Sequence, residues 1–230
     1  KLTSDDETVA RIENDRVIPV ANGQTVIRAT ANGADVATAN VTVTNTQERF
    51  QWTFRNHVQS VLARQGCNSG ACHGALAGKG GFKLSLRGYD TDRDHFNTTT
   101  QQLGRRIDLR QPALSLLLTK PTTAVPHKGG QRIETSSLNY KVLAEWIADG
   151  APAPSEEDAR LVSLTMLPTE VTLVKGQVQP LIVQAHYSDG RIEDVTQWGK
   201  FTSANEAVAT VDVDGIATVL GPGEGAISAW

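Results

Sequence analysis

The two ends of this 230-residue chain repeat one another. Ser4, Glu7, Val9, Ala10, Asp15 and Val20 recur as Ser203, Glu206, Val208, Ala209, Asp214 and Val219. After a one-residue insertion, Gly23, Ile27 and Ala29 recur as Gly223, Ile227 and Ala229. Self-similarity across so long an offset means two copies of one module with something different between them. The module reads as β: short Val, Thr, Ala and Ile runs alternate with period two and are punctuated by Asn22-Gly23, Asp189-Gly190 and Asp214-Gly215. Short strands at such spacing predict a sandwich. Aromatic residues are only 5% of the chain, which fits strands built from small side chains.

Composition removes several classes of function. Apolar residues at 39% and charged residues at 20% exclude a wholly disordered chain. Lys and Arg number 22 against 25 Asp and Glu, a net charge of -3, so the basic excess that nucleic-acid binding requires is missing. No apolar run approaches the ~20 residues of a membrane-spanning helix. No basic-then-apolar leader begins at Lys1, so any export signal is expected to have been removed.

The chemistry concentrates in the middle. Both cysteines fall in Cys67-Asn68-Ser69-Gly70-Ala71-Cys72-His73. Cys-x-x-Cys-His is the signature of c-type haem attachment, in which two thiols bond the haem vinyl groups and the adjacent imidazole binds iron. Here two extra residues separate the thiols, and the four intervening residues are small or turn-compatible. A disulfide closing a small loop is the simplest alternative. A zinc site lacks a fourth ligand, and a thioredoxin-like pair lacks its Cys-x-x-Cys spacing and βαβ setting.

Helical signals surround the loop. Phe50, Phe54, Val58, Val61 and Leu62 recur at helical spacing, with Thr46 as the predicted N-cap and Gly66 as the stop. Phe82 to Gly88 alternates like a short strand. Pro112 opens a short helix that Pro121 ends. Ser136 or Ser137 caps a helix carrying Leu138, Val142, Leu143, Trp146 and Ile147, which Gly150 terminates. A first helix, a thiol loop and a closing helix follow the order of a class I cytochrome c.

The run from Phe54 to Pro152 resembles the planctomycete-type cytochrome c domain. The resemblance is carried by Gly66 to Gly74, by Gly78-Lys79-Gly80-Gly81-Phe82-Lys83-Leu84-Ser85-Leu86-Arg87-Gly88 and by Gly104-Arg105-Arg106. It continues in Ser115 to Pro121, His127-Lys128-Gly129-Gly130, and Trp146-Ile147-Ala148-Asp149-Gly150-Ala151-Pro152. It implies one haem c, held covalently by Cys67 and Cys72 with His73 as proximal ligand, and makes the wider loop a family habit.

Class I cytochromes place Met on the far side of the iron, before the last helix. The sole methionine, Met166, lies beyond that helix, and His127 stands at the expected position. His127 is therefore expected as the distal ligand, giving bis-His iron of lowered reduction potential. His57 is read as a packing residue, His95 as a surface residue and His186 as part of a strand. Arg87, Arg105, Arg106, Lys128 and Arg132 are candidate partners for the haem propionates, although each alone is as readily a solvated charge.

The repeated module resembles the bacterial Ig-like domain of group 2, through Val171-Thr172-Leu173-Val174-Lys175-Gly176, Tyr187-Ser188-Asp189-Gly190, Asp194-Val195-Thr196, Ser203-Ala204-Asn205 and Ala217-Thr218-Val219. The expected organisation is multidomain, α plus all-β. Residues 1–46 form a partial Ig-like β-module, 47–153 a monohaem cytochrome c domain, and 160–230 an Ig-like β-sandwich truncated at its end. Copies lacking strands would leave open edges, so the chain is expected to be an excerpt of a longer parent. The expected function is electron transfer outside the cytoplasm, in the periplasm or at the cell surface. The partner is a redox protein or a downstream domain of the parent. An open-iron sensor or peroxidase-like site and a haem-free surface adhesion module are the alternatives.

Overall fold

The computed structural model describes residues 1–13, 16–31 and 33–230, so Asp15 of the repeat lies outside the described residues. The chain divides into two compact units, Lys1–Gln51 and Trp52–Trp230. The first holds β1 (Leu2–Ser4), β2 (Ala10–Glu13), β3 (Arg16–Pro19), β4 (Gly23–Ala31) and β5 (Ala34–Val43). β1, β4 and β5 form one antiparallel sheet, and β2 pairs with β3. Val9, Ala10 and Val43 are its buried apolar cluster. Buried Thr25 is satisfied because its hydroxyl accepts the Asp6 N–H at 2.9 Å.

The β part of the second unit comprises β6 (Leu161–Leu167), β7 (Val178–Pro180), β8 (Ile182–Tyr187), β9 (Ile192–Asp194), β10 (Phe201–Ser203), β11 (Ala209–Val211), β12 (Ile216–Val219) and β13 (Ile227–Ala229). These make three small sheets, ordered β6-β8-β9, β11-β12-β7 and β10-β13. The repeat read in the sequence reappears as register. Ser4 pairs with Ile27 as Ser203 pairs with Ile227, and Leu2 with Ala29 as Phe201 with Ala229. The corner repeats one residue off the sequence alignment: the Val20 N–H donates to the Val9 carbonyl, and the Leu220 N–H, not that of Val219, to the Val208 carbonyl, so the insertion falls before Val20. Val183, Ala185, Tyr187 and Val195 are buried at the centre of this part.

The helical part holds a π turn (Phe54–Val58) running into α1 (Gln59–Arg64), then α2 (Thr91–Thr99), α3 (Leu116–Thr119) and α4 (Leu138–Ala148). Phe54, Val58, Val61, Leu84, Leu118, Val142, Leu143, Trp146 and Ile147 form its core. Ser137 caps α4 as expected, accepting the Tyr140 N–H.

Several local expectations are corrected. The first helix is capped by Thr53, not Thr46, whose N–H and hydroxyl are both taken by Asn22 Oδ1 at 2.9 and 3.0 Å. Phe82 to Gly88 is no strand: only a bridge between Lys79 and Phe82 forms. Beyond it, the Asp94 carboxylate takes both the Ser85 N–H and hydroxyl, and Arg87 turns to φ 60°. α2 carried no apolar signal because the side chains it buries are Asp94, Asn97 and Thr98. His95, on α2, is not a simple surface residue: it donates from Nε2 to the Ala151 carbonyl at 3.0 Å and stands edge-on to Phe54 and Trp146. His57 packs as expected, 1% exposed, and His186 lies in β8.

Helical and β parts of the second unit meet along a packed seam. His57 Nε2 lies 3.8 Å from Glu193 Oε2, and Asn56 donates to the Ala159 carbonyl at 2.9 Å. Burial would raise the Glu193 carboxyl, but His57 and Arg191 beside it hold it below the ordinary glutamate value of 4.5. A carboxylate depressed in the folded state contributes stability above its unfolded pKa and loses it as pH falls through the folded value. Stability of the second unit should thus fall as pH drops below about 4.5, and Glu193→Gln should flatten that fall in denaturant titrations run at successive pH values. Trp146→Ala, at a site with no exposure, should cost about 3–5 kcal/mol by the same measurement.

Candidate functional site: the cavity at the cysteine loop

α1 delivers the cysteine loop directly. The Cys67 N–H donates to the Leu62 carbonyl at 2.9 Å, continuing the helix by one loose turn. The chain then coils on itself: the Cys72 N–H donates to the Ser69 carbonyl and the His73 N–H to the Cys67 carbonyl. Gly74 closes the coil so tightly that a Cβ there would stand 2.1 Å from the Asn68 oxygen. The two extra residues are thus absorbed in a hydrogen-bonded coil. Cys67 and Cys72 are free thiols rather than a disulfide. Burial, and the neighbouring Cys72, push the Cys67 thiol up to about 11.

His73 and His127 are held in the same way. His73 Nδ1 donates to the Phe82 carbonyl at 3.0 Å, and His127 Nδ1 to the Gly130 carbonyl at 2.8 Å. A carbonyl only accepts, so each Nδ1 carries a proton, and in the neutral ring Nε2 is the nitrogen with the lone pair. Gly129 sits against the His127 ring, where a Cβ would lie 2.7 Å from Cε1. Burial lowers the His73 pKa below its ordinary value, outweighing the bond to the Phe82 carbonyl, which raises it.

Both histidines and both thiols line one cavity of about 630 Å³, within the range of ligand sites. Its walls are apolar: Leu62, Phe82, Leu117, Pro121, Ile133 and Leu143. Among the described residues the charged side chains on it, Lys79, Arg105, Arg106, Lys120, Lys128 and Arg132, are all cationic, and no acidic residue lines it. Among the described residues no group of three or more His, Cys, Asp or Glu is placed to hold a metal ion. What the site offers a metal is the pair of imidazoles.

The arginines divide by role. Arg105 is exposed on the lining, and Arg132 lies there too, its Nε donating to the Gly129 carbonyl at 2.8 Å. Arg106, 4% exposed, spends its guanidinium on the carbonyls of Asn97, Gln101 and Gly81 and on Gln102 Oε1, and stacks on Phe82 at 4.6 Å. Arg87 does not line the cavity; it lies over the Trp230 ring at 4.9 Å. Lys79 and Lys120 were not singled out from the sequence. Lys120 donates to the Pro126 carbonyl at 2.8 Å and steadies the His127 turn.

The β part of the second unit belongs to a recognised class: residues 162–230 match the bacterial Ig-like domain (group 2) and form that domain. Ice-binding protein 1 of Shewanella frigidimarina (strain NCIMB 400) is similar to a stretch of this chain, 38% identical over 71 residues. That stretch is 31% of this chain and 8% of that protein.

The two adjacent arginines should separate on substitution. Arg106→Ala strands buried carbonyls and should cost about 2–4 kcal/mol in thermal or denaturant unfolding. Arg105→Ala, exposed, should stay within about 0.5 kcal/mol of the parent.

Proposed function

We propose that the chain is an extracytoplasmic monohaem c-type cytochrome that passes single electrons. One observation carries this reading. Two imidazoles, each with Nδ1 tied to a backbone carbonyl, line the apolar cavity whose wall also holds two free thiols. Cys67 and Cys72 would hold a haem as thioethers, and His73 and His127 would offer Nε2 to its iron. The bound iron supplies a reversible one-electron ferric–ferrous couple, and two imidazoles set it at lower potential than an imidazole–thioether pair would. The chain's residues do the rest. The Phe82 and Gly130 carbonyls orient the rings, the apolar walls exclude water, and Arg105, Lys128 and Arg132 receive the two propionates.

The Ig-like domain supports a setting outside the cytoplasm. Among the described residues no helix is long and apolar enough to cross a membrane. The electron partner is a separate redox protein or another domain of a longer parent.

The test is the spectrum of the purified chain, produced with a haem-attachment system. A low-spin c-type spectrum whose colour survives acid extraction is expected, and Cys67→Ala with Cys72→Ala should release the pigment. His127→Ala should convert the spectrum to high spin and open the iron to carbon monoxide. A colourless chain would leave a haem-free surface module, and a high-spin parent an open sensor-like site. A His127→Ala spectrum identical to the parent's would remove His127 as ligand.

A further inference from the structure

We propose that the Ig-like domain braces the cofactor site from behind its lining, with Trp198 and Arg64 as positioning residues that hold the Cys67–His73 loop. The proposal rests on the haem reading above for its redox consequence and on geometry alone for its mechanical one.

Trp198 belongs to the Ig-like domain by backbone and to the helical part by side chain. Its turn (Thr196–Trp198) is anchored in the β core: the Val195 N–H donates to the Val183 carbonyl, and the Val183 N–H to Thr196 Oγ1, both at 2.8 Å. The Trp198 ring packs against both apolar cores, the one around Val183 and the one around Trp146. Its indole N–H donates to Asn139 Oδ1 on α4 at 3.3 Å, and its ring stands T-shaped to that of His57, 5.7 Å between centroids, on the turn that leads into α1. A tethered spacer would present a polar surface here; this indole is shared between two cores.

Arg64 makes the reciprocal link. It is the last residue of α1, and its guanidinium donates from Nε to the Gln197 carbonyl at 3.3 Å and from Nη2 to the Val213 carbonyl. Charge-assisted donation to two carbonyls fixes that helix end more firmly than a single neutral bond. Three residues later comes Cys67, bonded back to Leu62 of the same helix, and then the His73 N–H bonded to Cys67. Displacing Arg64 or Trp198 therefore moves the frame on which both the thiol and the proximal imidazole are carried.

The experiment compares the whole chain with Trp198→Ala, Trp198→Phe, Arg64→Gln and the exposed-site control Val174→Ala. Two readings are taken: amide hydrogen exchange over residues 65–74, and the midpoint potential of the iron. Trp198→Ala and Arg64→Gln should each speed exchange in the loop by about tenfold or more. They should also move the potential to more negative values, since water admitted beside the porphyrin favours the ferric charge. Trp198→Phe should restore most of both, and Val174→Ala should change neither. Loop exchange equal to the parent's in Trp198→Ala and Arg64→Gln, with loosening confined to the β domain, would overturn the proposal. So would loosening of the loop with no movement of the potential. A colourless chain would sink the haem reading and leave the exchange comparison to decide the mechanical claim.

Discussion

An imidazole has two nitrogens, and fixing what one does decides what the other can do. At His73 and His127 the Nδ1 proton is committed to a backbone carbonyl, so neither ring is free to flip or exchange tautomers without breaking a bond. The acceptors are themselves held. The Leu84 N–H returns to the His73 carbonyl, and the Gly130 N–H returns to the His127 carbonyl. Each histidine thus sits in a two-bond loop with its own neighbourhood, and cavity, thiols and cations are arranged around that pair.

The electrostatics follow from the same placement. The whole chain carries -3, yet the lining of the cavity carries only cations. Such a local reversal of sign draws anionic groups and costs little if they stay at the solvent edge. Arg106 is exempt, because its donors already face four oxygens. The thiols point the same way. A Cys67 pushed up to about 11 is protonated at neutral pH and is no reactive thiolate, unlike a redox pair whose nucleophile must be poised near ambient pH. The arrangement supports a loop that holds a group rather than one that exchanges disulfides.

What the sequence disclosed, and what it hid, has physical grounds. The repeat was legible because Ser4, Ile27 and their counterparts Ser203 and Ile227 are the residues that set strand register, and register tolerates little change. The cap of α4 was legible to within one residue, Ser136 or Ser137, because a cap precedes an apolar stripe; the structure selects Ser137. α2 was hidden: its buried face is Asp94, Asn97 and Thr98, each satisfied by hydrogen bonds, so no apolar period exists to be read. Phe82 to Gly88 alternated like a strand, but alternation does not reveal that no neighbouring strand pairs with it. Arg105 and Arg106 were indistinguishable as letters. Only folding shows that one faces solvent and the other is caged by carbonyls.

The two copies of the β module draw stability from different sources. In the first unit the buried apolar cluster is Val9, Ala10 and Val43, small side chains that remove little surface from water. In the second the corresponding strands stand beside β8 and share Trp198 with the helical core. A large aromatic in a shared boundary makes unfolding of either side expose the other, and that is how two folds become one cooperative body. Electron transfer gains from such a body, since a site whose ligands need not move has little to reorganise when charge arrives. Open-iron chemistry asks the reverse, that a distal ligand leave. On the proposed reading, the bonds that tie His127 to Gly130 and its turn to Lys120 would oppose that departure.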